Sequence, residues 1–367
     1  MKNCARVLMA AVAALLAIGI IMMASIEKYP ARSDSTSAQA TTGLMHNHLQ
    51  WVVLGLILMW AVARVDYRRW RQIATPFAGM VFMLLVVALI PGMGPNYYGA
   101  RRWLYLGPWG TFQPSVLAGL AIVLFMAWWY SSENPRSPNL FWVPVAVMYG
   151  WTTLIFVEPD FSVAVFVLLT GWVLMILGKA RYDHIIISIV LPVTGLMWAI
   201  SKDPFSRAGL MDFFTRDPIA EPACLPGFVM ALKAGGWAGV GLGNGHWTRW
   251  FLPEASGGLV TAVIGEELGL AALLIMMGMF AVMVVSGAYI AAKASDRFGT
   301  LLGTGMVALL IIPVLLNLVS VTWLFPMKAL LLPLVSHGGW ALCATLTGVG
   351  VLLNIARTKP GESNEPK

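Results

Sequence analysis

Apolar residues in this chain fall in long unbroken runs, not in the two-residue alternation of half-buried strands. Ten runs approach the ~20 residues of helix that cross a bilayer; they lie near 5–26, 48–63, 75–92, 114–130, 139–157, 161–178, 183–200, 261–292, 301–324 and 338–356. Short polar turns separate most of them. The exception is about 201–260, between runs seven and eight. The pattern predicts an all-α integral membrane protein with about ten transmembrane helices and one long loop. Residues 1–356 then form a single polytopic membrane domain, and 357–367 a polar tail. The first run is longer than the ~7–15-residue apolar core of a signal peptide and no A-x-A site follows, so it reads as an uncleaved span.

Composition sharpens this. The chain is 59% hydrophobic and only 11% charged, with mean hydropathy +0.77, against about 25% charged residues in a soluble domain. Soluble enzymes are excluded on that ground. The net charge of +7 does not point to nucleic acid, because the basic residues are scattered through short loops, where they act as topology signals. Ten spans put both termini on one side. That side carries Lys2, Arg6, Arg64, Arg68, Arg69, Arg71, Arg136, Lys179, Arg181, Lys293, Arg297, Arg357, Lys359 and Lys367, fourteen of the 24 Lys and Arg residues. The other ten are Lys28, Arg32, Arg101, Arg102, Lys202, Arg207, Arg216, Lys233, Arg249 and Lys328, and half of these sit in the long loop, where the rule is weak. Both termini are therefore expected in the cytoplasm and the 201–260 loop outside.

Little of the classical chemistry of soluble enzymes is present. Cys4, Cys224 and Cys343 are scattered, with neither a disulfide framework nor a metal spacing. His46 and His48 read as a loop pair, not as metal ligands. The glycine-rich run Ala234–Asn244 contains neither a P-loop nor a strand-associated G-x-G-x-x-G, so nucleotide binding is unsupported. Ser336 and His337 are neighbours without a nearby acid, which is no Ser-His-Asp arrangement. Arg101 and Arg102 lie on the side where cations are disfavoured. Either they clamp a phosphate with paired hydrogen bonds, or with Trp103, Tyr105 and Trp109 they anchor the chain at the headgroup level. Asp160 opens span six, as a site acid at the membrane edge or as a first-turn acid favoured by the helix dipole. Glu266 and Glu267, at the outer end of span eight, read as structural acids.

Four ordered blocks resemble the SEDS family of bacterial cell-wall polymerases, the FtsW, RodA and SpoVE type. The segment 99–115 is similar to the family's G-A-x-R-W-x-x-L-G…F-Q-P-S-E-x-x-K at Gly99, Ala100, Arg102, Trp103, Leu106, Gly107, Phe112, Gln113, Pro114 and Ser115, but has Val116 and Gly119 in place of the Glu and Lys. Pro159 and Asp160 match P-D-L-G-T-A, with Ser162 and Val163 replacing Gly and Thr. Leu252, Pro253 and Glu254 match the LPE motif, and Ile264–Gly269 the IGEELG motif. Between these the family carries His-Thr-Asp-Phe, whose Asp is the proposed catalytic group; here Ser256, Gly257, Gly258 and Leu259 stand instead, with Gly258 at the Asp position. In the last block, Asn317 is followed by Pro326, Leu332, Pro333, Ser336, Gly338 and Gly339, matching L-P-x-x-G-x-x-L-P-F-I-S-Y-G-G-S-S, while His337 replaces Tyr and Trp340 and Ala341 replace the serines. The resemblance spans about 99–357, and its wording is nearer the FtsW branch.

The resemblance implies an enzyme of the bacterial cytoplasmic membrane that polymerises lipid II, a glycan linked to undecaprenyl pyrophosphate, beside a class B penicillin-binding transpeptidase and other division or elongation proteins. An acceptor sugar hydroxyl attacks the anomeric carbon and the lipid pyrophosphate leaves. The leaving group calls for cations: Arg101, Arg102, Lys233 and Lys328 are the candidates, with a divalent ion as a further source. The hydroxyl calls for a base, worth roughly 10²–10⁴ in rate. With glycine at 258, the remaining acids are Glu254 and Asp160. Two other readings stand beside the polymerase: a catalytically degenerate scaffold that keeps the family's partner surface, and a lipid II flippase.

Overall fold

Twelve helices are present among the residues that the computed structural model describes, which are 1–29, 43–95, 101–107, 110–132, 142–202, 227–248, 255–322 and 329–358. The first seven are α1 (Lys2–Glu27), α2 (Leu44–Arg64), α3 (Trp70–Leu89), α4 (Ser115–Ser131), α5 (Trp142–Val157), α6 (Phe161–Leu177) and α7 (Tyr182–Lys202). The short α8 (Gly227–Gly235) follows in the long loop, and then α9 (Val260–Glu267), α10 (Gly269–Ala292), α11 (Arg297–Val321) and α12 (Gly339–Arg357). Six of these, α1, α2, α10, α11, α12 and α3 with its preceding turn, are long and apolar enough to cross a membrane, and α4–α7 are or contain shorter apolar helices. Apolar helices are the expected solution, because a backbone in lipid must satisfy its own polar groups.

The structure departs from the sequence expectation in two places. Span eight is not one helix: α9 ends at Glu267 and α10 starts at Gly269, whose φ of +81° is a left-handed conformation that a side chain disfavours. The second helix starts at Leu44, so His46 and His48 lie on it and not in a loop. The all-α fold class holds, with one small hairpin added to it: Leu104–Tyr105 (β1) pairs antiparallel with Thr111–Phe112 (β2), placing Leu104 opposite Phe112.

Helix α4 lies at the centre. Fourteen of its residues are buried, because it packs against α3, α5, α6, α11 and α12. A helix apolar all round is stable only when surrounded in this way or by lipid. Helix α2 is the opposite case. It packs on α12 and α1 along one face and leaves Val53, Ile57 and Trp60 exposed, as suits contact with acyl chains. Between α11 and α12, residues 329–338 return as an irregular segment whose buried Leu334 has φ +66°. Such a backbone inside an apolar bundle is tolerated where protein covers it or where it lines a cavity.

Candidate active site

The irregular segment lines a cavity of about 890 Å³. The other walls come from the β1–β2 hairpin, α4, the turn before α6, residues 257–259, α11 and α12. Segments distant in sequence are therefore brought to one place. Arg102, Trp103, Gln113, Ser115, Asp160, Gly258, Pro333, Ser336 and Gly338, all named from the sequence, face this cavity. So do Val116, Gly119, Ser162, Val163, His337 and Ala341, positions where the chain departs from the motif wording.

Arg102 is held by the turn that joins α5 to α6. Its Nε donates to the Glu158 carbonyl at 2.7 Å, an Nη2 hydrogen goes to the Pro159 carbonyl, and Nη1 stands 3.6 Å from the Asp160 carboxylate. The guanidinium thus covers carbonyls at the C-terminal end of α5, where a cation is favoured. Its five N–H groups leave donors for a ligand. Asp160 precedes α6 but makes no side-chain cap hydrogen bond. Its Oδ2 instead accepts from Gln113 Nε2 at 3.1 Å, and that amide nitrogen also donates to Ser115 Oγ at 2.9 Å. Arg102, Asp160, Gln113 and Ser115 form one polar wall.

Glu158, two residues before Asp160, was missed by motif reasoning. It is fully buried and neither carboxylate oxygen has a hydrogen-bond partner among the described residues. Burial, reinforced by the charge of Asp160 and opposed by Arg102, pushes its carboxyl up to about 8. A buried carboxyl without partners is cheaper protonated than charged.

Residues 257–259 are fastened from behind. Asn317 Nδ2 donates to the carbonyls of Gly258 at 2.7 Å and Leu330 at 2.5 Å, and its Oδ1 accepts from Thr261 Oγ1 at 2.6 Å. Ser336 Oγ donates to the Gly257 carbonyl at 2.7 Å and accepts from Leu332 N–H at 2.8 Å, while His337 N–H donates to the Ser256 carbonyl at 2.7 Å. Asn317 and Ser336 are therefore braces for the site wall. A side chain at 119 would also be crowded: a Cβ there would lie 2.9 Å from the Phe166 ring and 3.0 Å from Leu309.

The remaining candidates lie elsewhere. Arg101 and Lys233 are exposed and are not part of the cavity wall. Pro114 and Gly339 flank it; Gly339 meets the Trp51 ring so closely that a Cβ would run into it. Glu266 and Glu267 are fully buried outside the cavity. Glu266 accepts from the N–H groups of His246, Trp247 and Thr248 at 2.6–2.8 Å and from Thr248 Oγ1 at 2.8 Å. Glu267 accepts from Ser25 Oγ and Tyr29 OH, each at 2.5 Å. The two carboxylates thus tie the end of the glycine-rich loop to α9, and α9 to α1. Glu254, Pro253 and Lys328, with Cys224, Arg249 and Trp109, fall outside the described residues. No cluster of three His, Cys, Asp or Glu side chains suited to a metal occurs among the described residues.

Comparison with known proteins places these observations. The model of the FtsW/RodA/SpoVE family, described as "Cell cycle protein", matches residues 6–360. A protein from Trichlorobacter lovleyi named "Probable peptidoglycan glycosyltransferase FtsW" is 30% identical over 362 residues, covering 95% of this chain and 92% of that protein. Stage V sporulation protein E of Bacillus subtilis is 29% identical over 309 residues, 83% of this chain and 84% of its own. In solved structures, a chain of a peptidoglycan synthase complex superposes with a TM-score of 0.74 at 24% identity, covering 95% of this chain and 96% of that one. That last likeness concerns the fold.

Proposed function

The chain belongs to the FtsW/RodA/SpoVE family of cell cycle proteins, and on that premise we propose that it is a peptidoglycan glycosyltransferase that polymerises lipid II. One observation carries the reading: Arg102, Gln113, Ser115 and Asp160 make a single polar wall on a cavity whose remaining walls include apolar residues of α4, α11 and α12. In this reading the donor's pyrophosphate sits against the free donors of Arg102, with Lys328 as a second cation. The acceptor sugar hydroxyl attacks the anomeric carbon, and the bond to the pyrophosphate oxygen breaks. Arg101 and Lys233, away from the cavity, then serve the headgroup surface.

The remaining assignments belong to the same proposal. Residues 1–356 act as one membrane domain with the 357–367 tail and both termini in the cytoplasm, and the 201–260 loop on the outer face of the cytoplasmic membrane. The charge distribution along the chain supports this orientation. A class B penicillin-binding transpeptidase is the proposed partner. The relatives named FtsW favour a role in division.

A second reading has an observation of its own. Gly258 has no space for the side chain that the family pattern puts there and Gly119 is crowded by Phe166 and Leu309, which favours a scaffold that keeps fold and partner surface without chemistry. The deciding experiment gives lipid II to the purified full-length protein in liposomes, with and without its transpeptidase. Glycan chains establish the polymerase; their absence, with lipid II binding and complex assembly intact, establishes the scaffold. Transport finds little support, because Arg102 and Asp160 are the only Lys, Arg, Asp or Glu side chains among the described residues of the cavity wall.

A further inference from the structure

If the cavity performs the proposed transfer, it needs a group that takes the proton of the attacking hydroxyl. Three titratable side chains line it among the described residues: Arg102, Asp160 and His337. Arg102 carries only N–H donors and cannot accept. Asp160 accepts from Gln113 through Oδ2, and the same oxygen stands 3.6 Å from Arg102, so it is already paired with a cation. Ser336 spends its hydroxyl on the Gly257 carbonyl and the Leu332 N–H. His337 remains.

Its mounting suits a reactive group. The His337 N–H is fixed to the Ser256 carbonyl, and the preceding Ser336 to Gly257. The His337 backbone is therefore tied to the 256–258 segment, whose position 258 has no room for a side chain. Behind it stands His48 of α2, 1% exposed, with ring centroids 5.6 Å apart. Neither nitrogen of His48, nor Nδ1 of His337, has a hydrogen-bond partner among the described residues, although all three atoms are buried. Each such atom costs on the order of 1–3 kcal/mol when left unsatisfied, and buried polar atoms of this kind call for an explanation.

We infer that His337 is the general base of the proposed glycosyl transfer. The assignment rests on the polymerase reading. In the step, the acceptor hydroxyl oxygen forms its bond to the anomeric carbon as that carbon's bond to the pyrophosphate oxygen breaks. The hydroxyl proton passes to His337 Nε2, and the lipid pyrophosphate leaves with the bonding electrons. Burial lowers the His337 imidazole below its ordinary value, so the neutral, proton-accepting form prevails at pH 7. His48 from α2 packs against it, while Arg102, just before the hairpin, and Asp160, in the turn before α6, line other parts of the same cavity.

The test uses full-length protein in liposomes with lipid II, comparing wild type, His337→Gln and His337→Ala across pH 5–9. The expected outcome for His337→Gln is a fall in kcat of about 10²–10⁴-fold, with KM for lipid II nearly unchanged. The wild-type rate should decline on the acid side, below about pH 6.5, and this limb should vanish in the variant. Added imidazole should restore part of the rate of His337→Ala, an outcome that guards against a folding defect in the glutamine variant. Wild-type-like turnover and an intact acid limb in His337→Gln would overturn the base and leave the polymerase standing. Lipid II binding without polymer in the wild type would overturn the polymerase, and the base with it.

Discussion

Gly258 abuts the backbone of Ala329: a Cβ at 258 would run into the Ala329 carbonyl oxygen and lie 2.8 Å from its carbonyl carbon. The obstacle is main chain, itself fastened through Leu330 to Asn317, so it cannot swing aside as a flexible side chain would. Restoring the family's acid therefore meets resistance. Gly258→Asp is expected to lower the thermal midpoint without raising polymerisation, and Gly258→Ala to cost about 1–3 kcal/mol, as overpacking does. Thermal melts and glycan assays on both variants check this. A stable and more active Gly258→Asp protein would mean that residues 329–331 move.

Asn317 should be among the least replaceable polar residues. Its alanine variant strips the donor from two carbonyls and the acceptor from Thr261. Loss of buried partners of this kind costs on the order of 2–4 kcal/mol. Asn317→Asp keeps the shape and the acceptor but removes the donor, so a melt of that variant isolates the two carbonyl bonds. A midpoint equal to wild type would refute the bracing role.

Glu158 predicts a pH signature. Its folded value is about 8, above the ordinary 4.5, so between these limits the folded state holds a proton that the unfolded chain has released. Stability from this group is present below about pH 4.5 and is lost as pH rises to about 8, by up to a few kcal/mol. Glu158→Gln removes the ionisation. The variant should gain over wild type more at pH 8 than at pH 5 in thermal melts; an equal difference at both would rule the effect out.

Arg102→Ala is expected to weaken lipid II binding and also to loosen the 158–160 turn, since it frees two carbonyls and the Asp160 carboxylate. Arg102→Lys should restore only part of the binding, because an ammonium lacks the planar fork. Equilibrium binding to lipid II vesicles, read beside a melt, separates the two losses. Undiminished binding in Arg102→Ala would leave the arginine a purely structural part.

Orientation is open to a direct check. Asn244 is exposed at the end of the glycine-rich loop. In a background whose native cysteines are replaced, a cysteine at 244 should react with a membrane-impermeant maleimide in intact spheroplasts. Reaction only after permeabilisation would invert the topology.

The ten apolar runs were legible because lipid leaves a helix no other way to satisfy its backbone, so each span announces itself in its own residues. What the sequence concealed depends on neighbours distant along the chain. The break before Gly269 was invisible because Val260, Ala262, Val263 and Ile264 lead into the apolar run of α10, although protein and not lipid surrounds α9. His48 was read as part of a loop because its meaning comes from His337, on a segment near the other end of the chain. Glu158 sits beside a motif acid without belonging to the motif, and only its complete burial singles it out. Arg102 and Asp160 were each legible as candidates, whereas their pairing was not.

The division of span eight has a consequence for how this protein tolerates change. All eight residues of α9 are enclosed, Glu266 and Glu267 included. Along α10, Leu274, Ile275, Val282 and Val285 are exposed, and any apolar residue of similar size serves a lipid-facing position. One apolar stretch of sequence therefore contains two kinds of constraint, meeting at Gly269: interchangeable hydrophobes at the exposed positions of α10, and complete enclosure along α9.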